Sequence, residues 1–140
     1  MKQDESCIFC KIVSGAVPAA RLLQDDAALA FLDVGPLARG HLLLIPREHY
    51  LTLDHMPSSL AAAVLKHLPA LVRAVQAVTG CQGVNVLQNN GRAAHQLVGH
   101  VHFHVIPRNS GDEFHFNWPA GSCPPGELDR LAQAIREKLA

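Results

Sequence analysis

The chain has 140 residues, 49% of them hydrophobic and 17% charged, which suits one domain with a real core and excludes a disordered chain. Twelve basic residues balance twelve acidic ones, so no broad basic surface is offered to nucleic acid or anionic lipid. No apolar run approaches a membrane span and MKQDESCIFC lacks an apolar signal region, so the expectation is a cytoplasmic protein with no nucleic-acid or membrane partner.

In chain order, CIFCKIVSG at residues 7–15 reads as a short helical turn ended by Gly15. AARLLQDD and AALAFLDV read as two strands joined by a tight acidic turn at Asp25 and Asp26. GPLARG is a loop, and HLLLIP at residues 41–46 is a mostly apolar strand that suits cover on both faces. A long helical stretch follows MPSS, with Ser58 or Ser59 as its N-cap. Leu60, Val64, Leu68, Leu71, Val75 and Val78 make one apolar stripe, and Pro69 predicts a kink or break near Leu65 and Lys66.

GVNVLQNNG reads as a strand running into a turn, and GHVHFHVIPR as another strand. CPPGELDRLAQAIREKL closes the chain as an amphipathic helix starting near Pro125. Strands that follow one another without helices favour antiparallel pairing, so the class is α+β: a five-stranded antiparallel sheet, one long helix and a C-terminal helix. An exposed edge or face of so small a sheet makes a homodimer reasonable.

Four cysteines are too few and too scattered for a secreted disulfide scaffold. Cys81 and Cys123 read as small hydrophobes or idle thiols. Cys7 and Cys10 form a CxxC pair that admits a redox pair, a disulfide or half of a zinc site.

The stretch HVHFHVIPR places His100, His102 and His104 at alternate positions with a hydrophobic residue in each gap. In a strand the three imidazoles share one face while Val101, Phe103 and Val105 share the other. Two imidazoles at i and i+2 can converge on a metal ion. Alternatively, a neutral imidazole is a good nucleophile near pH 7, and a second one beside it can contact phosphate oxygens. Attack on phosphorus would give a phospho-imidazole that water then cleaves, without a metal.

HVHFHV matches the His-x-His-x-His-x pattern, with x hydrophobic, and CIFCKIVSGAVPA, AFLDVGPLARGHLLLIPREH, GVNVLQNNG and HQLVGHVHFHVIPR occur in one known family's order. On these motifs the chain resembles the histidine triad (HIT) nucleotide hydrolases and transferases, most closely the bacterial Hint-like branch with an N-terminal CxxC. NWPAG around Trp118 is similar to the Trp-Pro ending of that branch. The resemblance implies a single HIT domain over residues 1–140, with a core at 7–108 and a C-terminal extension with a helix at 109–140.

It also implies roles. His102 would be the nucleophile at the α-phosphorus, held in the right tautomer by the backbone carbonyl of His100, and His104 would contact the phosphate in a pair with His41. Asp33 would bind the ribose, Leu32 and Val34 would help form a purine slot, and Asn89 and Gln96 would contact the phosphates. Relatives with this CxxC complete a structural zinc site with two histidines, here His49 and His100 beside Cys7 and Cys10. Two positions depart from the pattern: Leu97 stands where a Ser is frequent, and His95 where a Gly is frequent.

The implied activity is metal-independent hydrolysis at the α-phosphate of purine nucleoside phosphoramidates or dinucleoside polyphosphates through a covalent nucleotidyl-histidine. The transferase branch usually carries Gln at the third triad position, so His104 argues for hydrolysis. Two alternatives stand beside it: a zinc-dependent hydrolase using His102 and His104 as ligands, and a nucleotide-binding regulatory protein with little catalysis.

Overall fold

The computed structural model describes residues Met1–Ala140. Its elements are α1 (Ile8–Ser14), β1 (Arg21–Gln24), β2 (Ala28–Leu32), β3 (Leu42–Pro46), α2 (Ser58–Leu65), α3 (Leu68–Thr79), β4 (Gly83–Gln88), β5 (Phe103–Arg108) and α4 (Glu127–Leu139). The five strands form one antiparallel sheet in the order β1-β2-β3-β5-β4. The α+β class and the five-strand count expected from the sequence are both present.

Local chemistry explains the boundaries. Gly15, with φ 86°, ends α1 in the left-handed conformation that costs glycine nothing. In the acidic turn, Asp25 Oδ1 accepts from the amides of Ala27 and Ala28 at 2.9 and 2.8 Å. Its other oxygen meets His67 Nε2 at 2.8 Å and Lys66 Nζ at 3.3 Å. The β1–β2 turn is thereby tied to the break between α2 and α3. That break falls at Lys66 and His67, because Pro69 in the first turn of α3 cannot continue a helix from α2.

Three sequence expectations shift here. The N-cap of α2 is Pro57, and Ser58 is already helical with no capping side chain. Val78 leaves the apolar stripe and faces outward, 72% exposed. Residues Ser58–Thr79 do have the length and the mean hydropathy, 1.2, of a membrane span, contrary to the reading that no run approaches one. Their buried positions, Val64, Leu71 and Val75, pack on the sheet, as expected of a core helix pair.

The sheet separates two apolar layers. On one face Ala28, Ala30, Leu42, Leu44, Val101, Phe103 and Val105 meet α2 and α3. On the other, Leu29, Phe31, Leu43 and Ile45 meet Phe9, Ile12 and Val13 of α1. Alternate residues of β2 and β3 thus serve both layers, which is why HLLLIP is apolar throughout. Beyond β5, α4 buries none of its residues, and Leu128, Leu131, Ile135 and Leu139 are exposed.

Leu44 sits at the centre of the helix-side layer with no exposed surface. Leu44→Ala is expected to cost about 2–5 kcal/mol through lost burial and the cavity left behind. Urea unfolding should show a lower midpoint at an unchanged slope.

Candidate active site

The face of the sheet that carries α1 is left partly open, and its uncovered part is a cavity of about 600 Å³. That volume falls in the range of small-molecule sites. Phe9, Phe31, Asp33, Asn89, His95, Leu97 and Phe114 line it together with His41, His102 and His104. In the sheet order β2, which carries Phe31, lies on one side of β5, and β4, which runs into Asn89, lies on the other.

The alternation read from the sequence holds in side-chain direction but not in strand pairing. Only His104 lies in β5, opposite Leu43 on one side and Leu87 on the other. His100 and His102 precede the ladder, because the amide of Val101 donates to the carbonyl of Tyr50 at 2.8 Å. The approach to β5 is therefore extended without being a sheet strand. Val101 and Phe103 still enter the helix-side core, and the three imidazoles turn to the opposite side.

Backbone groups set the tautomers of these histidines. His102 Nδ1 donates to the carbonyl of His100 at 2.7 Å, which leaves Nε2 with its lone pair free. His102 is 6% exposed, and the Phe9 ring stands edge-on to it with centroids 5.2 Å apart. Burial lowers its pKa below the ordinary 6.5, against the opposing pull of the His100 carbonyl and Asp33.

The second pair is set the same way. His41 Nδ1 accepts the amide of Leu37 at 3.0 Å, so its proton is on Nε2, 2.9 Å from His104 Nδ1. His104 then carries its own proton on Nε2. Burial, followed by the neighbouring His102 and His41, lowers the His104 pKa to about 4. Burial also lowers that of His41, although Asp33 Oδ2 lies 3.5 Å from its Nε2 and pulls the other way. Gly40 makes this placement possible, since at φ +93° a Cβ there would lie 2.7 Å from Thr79 Cγ2.

Behind the cavity, Cys7, Cys10, His49 and His100 bring their donor atoms within 4.8 Å of one another. His100 Nε2 donates to the carbonyl of Pro46 at 2.9 Å, so Nδ1 presents a lone pair to the cluster. That atom lies 3.4 Å from Cys7 Sγ, 3.6 Å from Cys10 Sγ and 3.2 Å from His49 Nδ1. A tetrahedral zinc with ordinary Zn–S and Zn–N bonds needs N···S and N···N edges of about 3.3–3.6 Å. The four residues therefore fit such an ion, and all four cysteines of the chain are unpaired. Asp33, His41 and His104 form a second group of close donor atoms, which does not include His102.

Of the residues singled out in the sequence, Leu32, Asp33, Val34, His41, Asn89, His102 and His104 line the cavity, and His100 lies in the cysteine cluster. Gln96 does not line it. Its Oε1 accepts from Gly91, and its Nε2 donates to the carbonyls of Leu51 and Val98, so the amide is spent on holding the loop. The sequence reading missed Phe9, which shields two triad rings, and Phe114, which closes one cavity wall. Phe9 lies between the two cysteines of the CxxC motif, a signal that its position is fixed by them. Phe114 is placed by Arg108, whose guanidinium pairs with Asp112 at 2.7 Å and donates to the Phe114 carbonyl; no sequence pattern announces that contact.

Comparison with known proteins agrees with this geometry. The chain is 42% identical over 135 residues to the adenosine 5'-monophosphoramidase of Schizosaccharomyces pombe, covering 96% of this chain and 98% of that one. It superposes on a HIT-family protein from Bacillus subtilis with a TM-score of 0.93 at 36% identity, over 97% of this chain and 99% of that one. A Zn-bound histidine triad family protein from Mycobacterium smegmatis gives a TM-score of 0.74 at 37% identity, over 96% and 95%. The HIT domain profile itself matches residues 14–111, which include all three triad histidines: the chain belongs to the HIT domain family.

Proposed function

We propose that this protein hydrolyses purine nucleoside 5'-phosphoramidates through a covalent nucleotidyl intermediate on His102. The observation that carries the reading is the Nδ1 bond of His102 to the His100 carbonyl, which leaves Nε2 free beside a nucleotide-sized cavity. Its support from relatives is the adenosine 5'-monophosphoramidase of Schizosaccharomyces pombe, whose sequence aligns over nearly the full length.

In this reading the purine rests among Phe9, Phe31 and Leu32, and Asp33 accepts from the ribose hydroxyls. The Nε2–H of His104 donates to a phosphate oxygen. His102 Nε2 attacks the α-phosphorus, the P–N bond breaks, and the amine departs after taking a proton from solvent. Water then attacks the phosphorus, its hydroxyl completing AMP and its proton balancing the one taken, and His102 is regenerated. No lysine or arginine lines the cavity, which favours a single α-phosphate with an amine leaving group over a polyphosphate chain.

The domain reading is one unit with its core at 7–108 and an extension at 109–140. Two copies would pair as a homodimer through the uncovered edge strand β4, where Val86 is exposed. Unpaired thiols suit a cytoplasmic setting.

Cys7, Cys10, His49 and His100 would hold zinc, with the zinc-bound relative from Mycobacterium smegmatis as the supporting precedent. A closed Cys2His2 ion supplies a cross-link between the N-terminus and the segment bearing His102, not a water-activating centre. Chelation with confirmed metal loss should therefore lower the thermal midpoint while protein that remains folded keeps its turnover. Immediate loss of turnover without unfolding would favour a catalytic metal at His102 and His104 instead.

Mixing the protein with AMP phosphoramidate and quenching should give an AMP adduct on His102 by mass spectrometry. His102→Ala should lose the adduct and at least about 10³-fold in turnover, as expected when a nucleophile is removed. Retained turnover in His102→Ala would overturn the mechanism. Tight AMP binding with no turnover in the intact protein would favour the regulatory alternative.

The pH dependence follows from the His41–His104 pair. Burial lowers both pKa values, that of His104 to about 4, so both rings are neutral at pH 7 and stay so below the ordinary 6.5. The unfolded chain binds more protons in that window, so stability should fall as pH drops from 6.5 towards 4. The acid limb of kcat/KM should likewise lie below 6.5; a limb at or above that value would contradict the neutral pair.

A further inference from the structure

His95 has φ 71° and is the only residue other than glycine with a positive φ. A side chain in that region is held there only when its surroundings determine it, and such positions gather at ligand clamps. The surroundings here are explicit. The amide of His95 donates to the carbonyl of Arg92 at 3.0 Å, and that of Gln96 to Gly91 at 3.1 Å. The Gln96 side chain fastens the same loop to Gly91, Leu51 and Val98. A glycine would adopt the turn without strain, so the imidazole is what the position adds.

That imidazole lines the cavity and makes no hydrogen bond within the chain, where only the backbone of His95 is engaged, its amide with the Arg92 carbonyl and its carbonyl with Asn89 Nδ2. Beyond His41, His102, His104 and Asp33, it is the one ionisable side chain on the cavity wall. In the sheet order β2, which carries Phe31, lies on one side of β5 and β4 on the other, and Asn89, which directly follows β4, holds the His95 carbonyl through its Nδ2. With the nucleoside at Phe31 and Asp33 on the β2 side of His102 and His104, the departing amine is left on the β4 side, where Asn89 and His95 stand.

We propose that His95 is a specificity-determining residue whose imidazole N–H donates to an acceptor group on the leaving amine, favouring amines with a carboxylate near the departing nitrogen. This rests on the phosphoramidase reading and adds the leaving group to it. Apart from Asp33, His41, His102 and His104, the only polar side chains that line the cavity are His95 and Asn89, so none but Asn89 competes for the carboxylate.

The test compares the AMP phosphoramidates of glycine and of propylamine, which match in length and differ in the carboxylate. The intact protein should prefer the glycine conjugate. His95→Gly should lose about tenfold in kcat/KM for that conjugate, the size of one charge-assisted hydrogen bond, and keep its value for the propylamine conjugate. His95→Asn, which tolerates the same backbone and retains a donor, should recover part of the preference. The melting midpoint of His95→Gly should be no lower than that of the parent, because glycine relieves the strain. An unchanged ratio of the two conjugates, or an equal fall for both, would overturn the role of His95 alone. Absence of His102-dependent turnover of either conjugate would overturn the phosphoramidase reading and this assignment with it.

Discussion

The imidazole of His100 donates to the carbonyl of Pro46 across 2.9 Å, while its own carbonyl accepts the Nδ1–H of His102 across 2.7 Å. One residue is thus fastened at both ends, and both bonds lie where water does not reach, since His100 has no exposed surface. A buried donor deprived of its acceptor costs about 1–3 kcal/mol. Neither bond is therefore easily given up, and the two tautomers they impose are imposed together. On one side the His100 lone pair meets Cys7, Cys10 and His49. On the other the His102 lone pair meets the cavity. The metal-type cluster and the proposed nucleophile share one backbone unit.

Packing so many imidazoles into one region is tenable only if they are uncharged. Adjacent cations at these separations would repel strongly in a poorly solvated site. Asp33 is the single carboxylate on the cavity wall, 3.5 Å from His41, and it favours the charged form. Burial outweighs it, and the pKa of His41 still falls. A neutral imidazole also has one donor and one acceptor nitrogen, which is what a directed chain requires. The chain runs from the Leu37 amide through His41 to His104, and it ends with a proton aimed outward from His104.

Much of this was legible in the sequence because it depends on periodicity. Val101, Phe103 and Val105 alternate with three histidines, and a two-residue period can place them only on opposite faces. The apolar run at Leu42–Pro46 announced a strand covered twice. What the sequence did not reveal depends on which partner a group finds. The Val101 amide chooses Tyr50, so β5 begins at Phe103 and not at His100. Gln96 looks like a ligand residue in the sequence, yet three backbone groups lie within its reach and take its amide. Phe9 is ordinary in a helical turn, and becomes part of the site only because α1 is laid across the open face of the sheet. Such choices are set by distances in the folded chain, which spacing along the sequence does not encode.

The same two-residue period extends past the triad. Positions 100, 102, 104, 106 and 108 all turn to the open face, and each meets a different demand there. His100 is the fixed backbone unit, and His102 and His104 address the cavity. Ile106 is 1% exposed and forms part of its wall. Arg108 reaches Asn85 at 2.6 Å and Asp112 at 2.7 Å, and its guanidinium lies 4.8 Å from the centre of the Phe114 ring. That arginine ties the start of the C-terminal extension back to β5 and stands Phe114 in the cavity wall. A one-residue slip of this segment would drive all five side chains into the helix-side core and bring Val101, Phe103 and Val105 to the cavity. The apolar gaps prevent the slip, because their burial against α2 and α3 is lost in any other register. The hydrophobic half of HVHFHVIPR therefore sets the aim of the polar half, and the two cannot be altered independently.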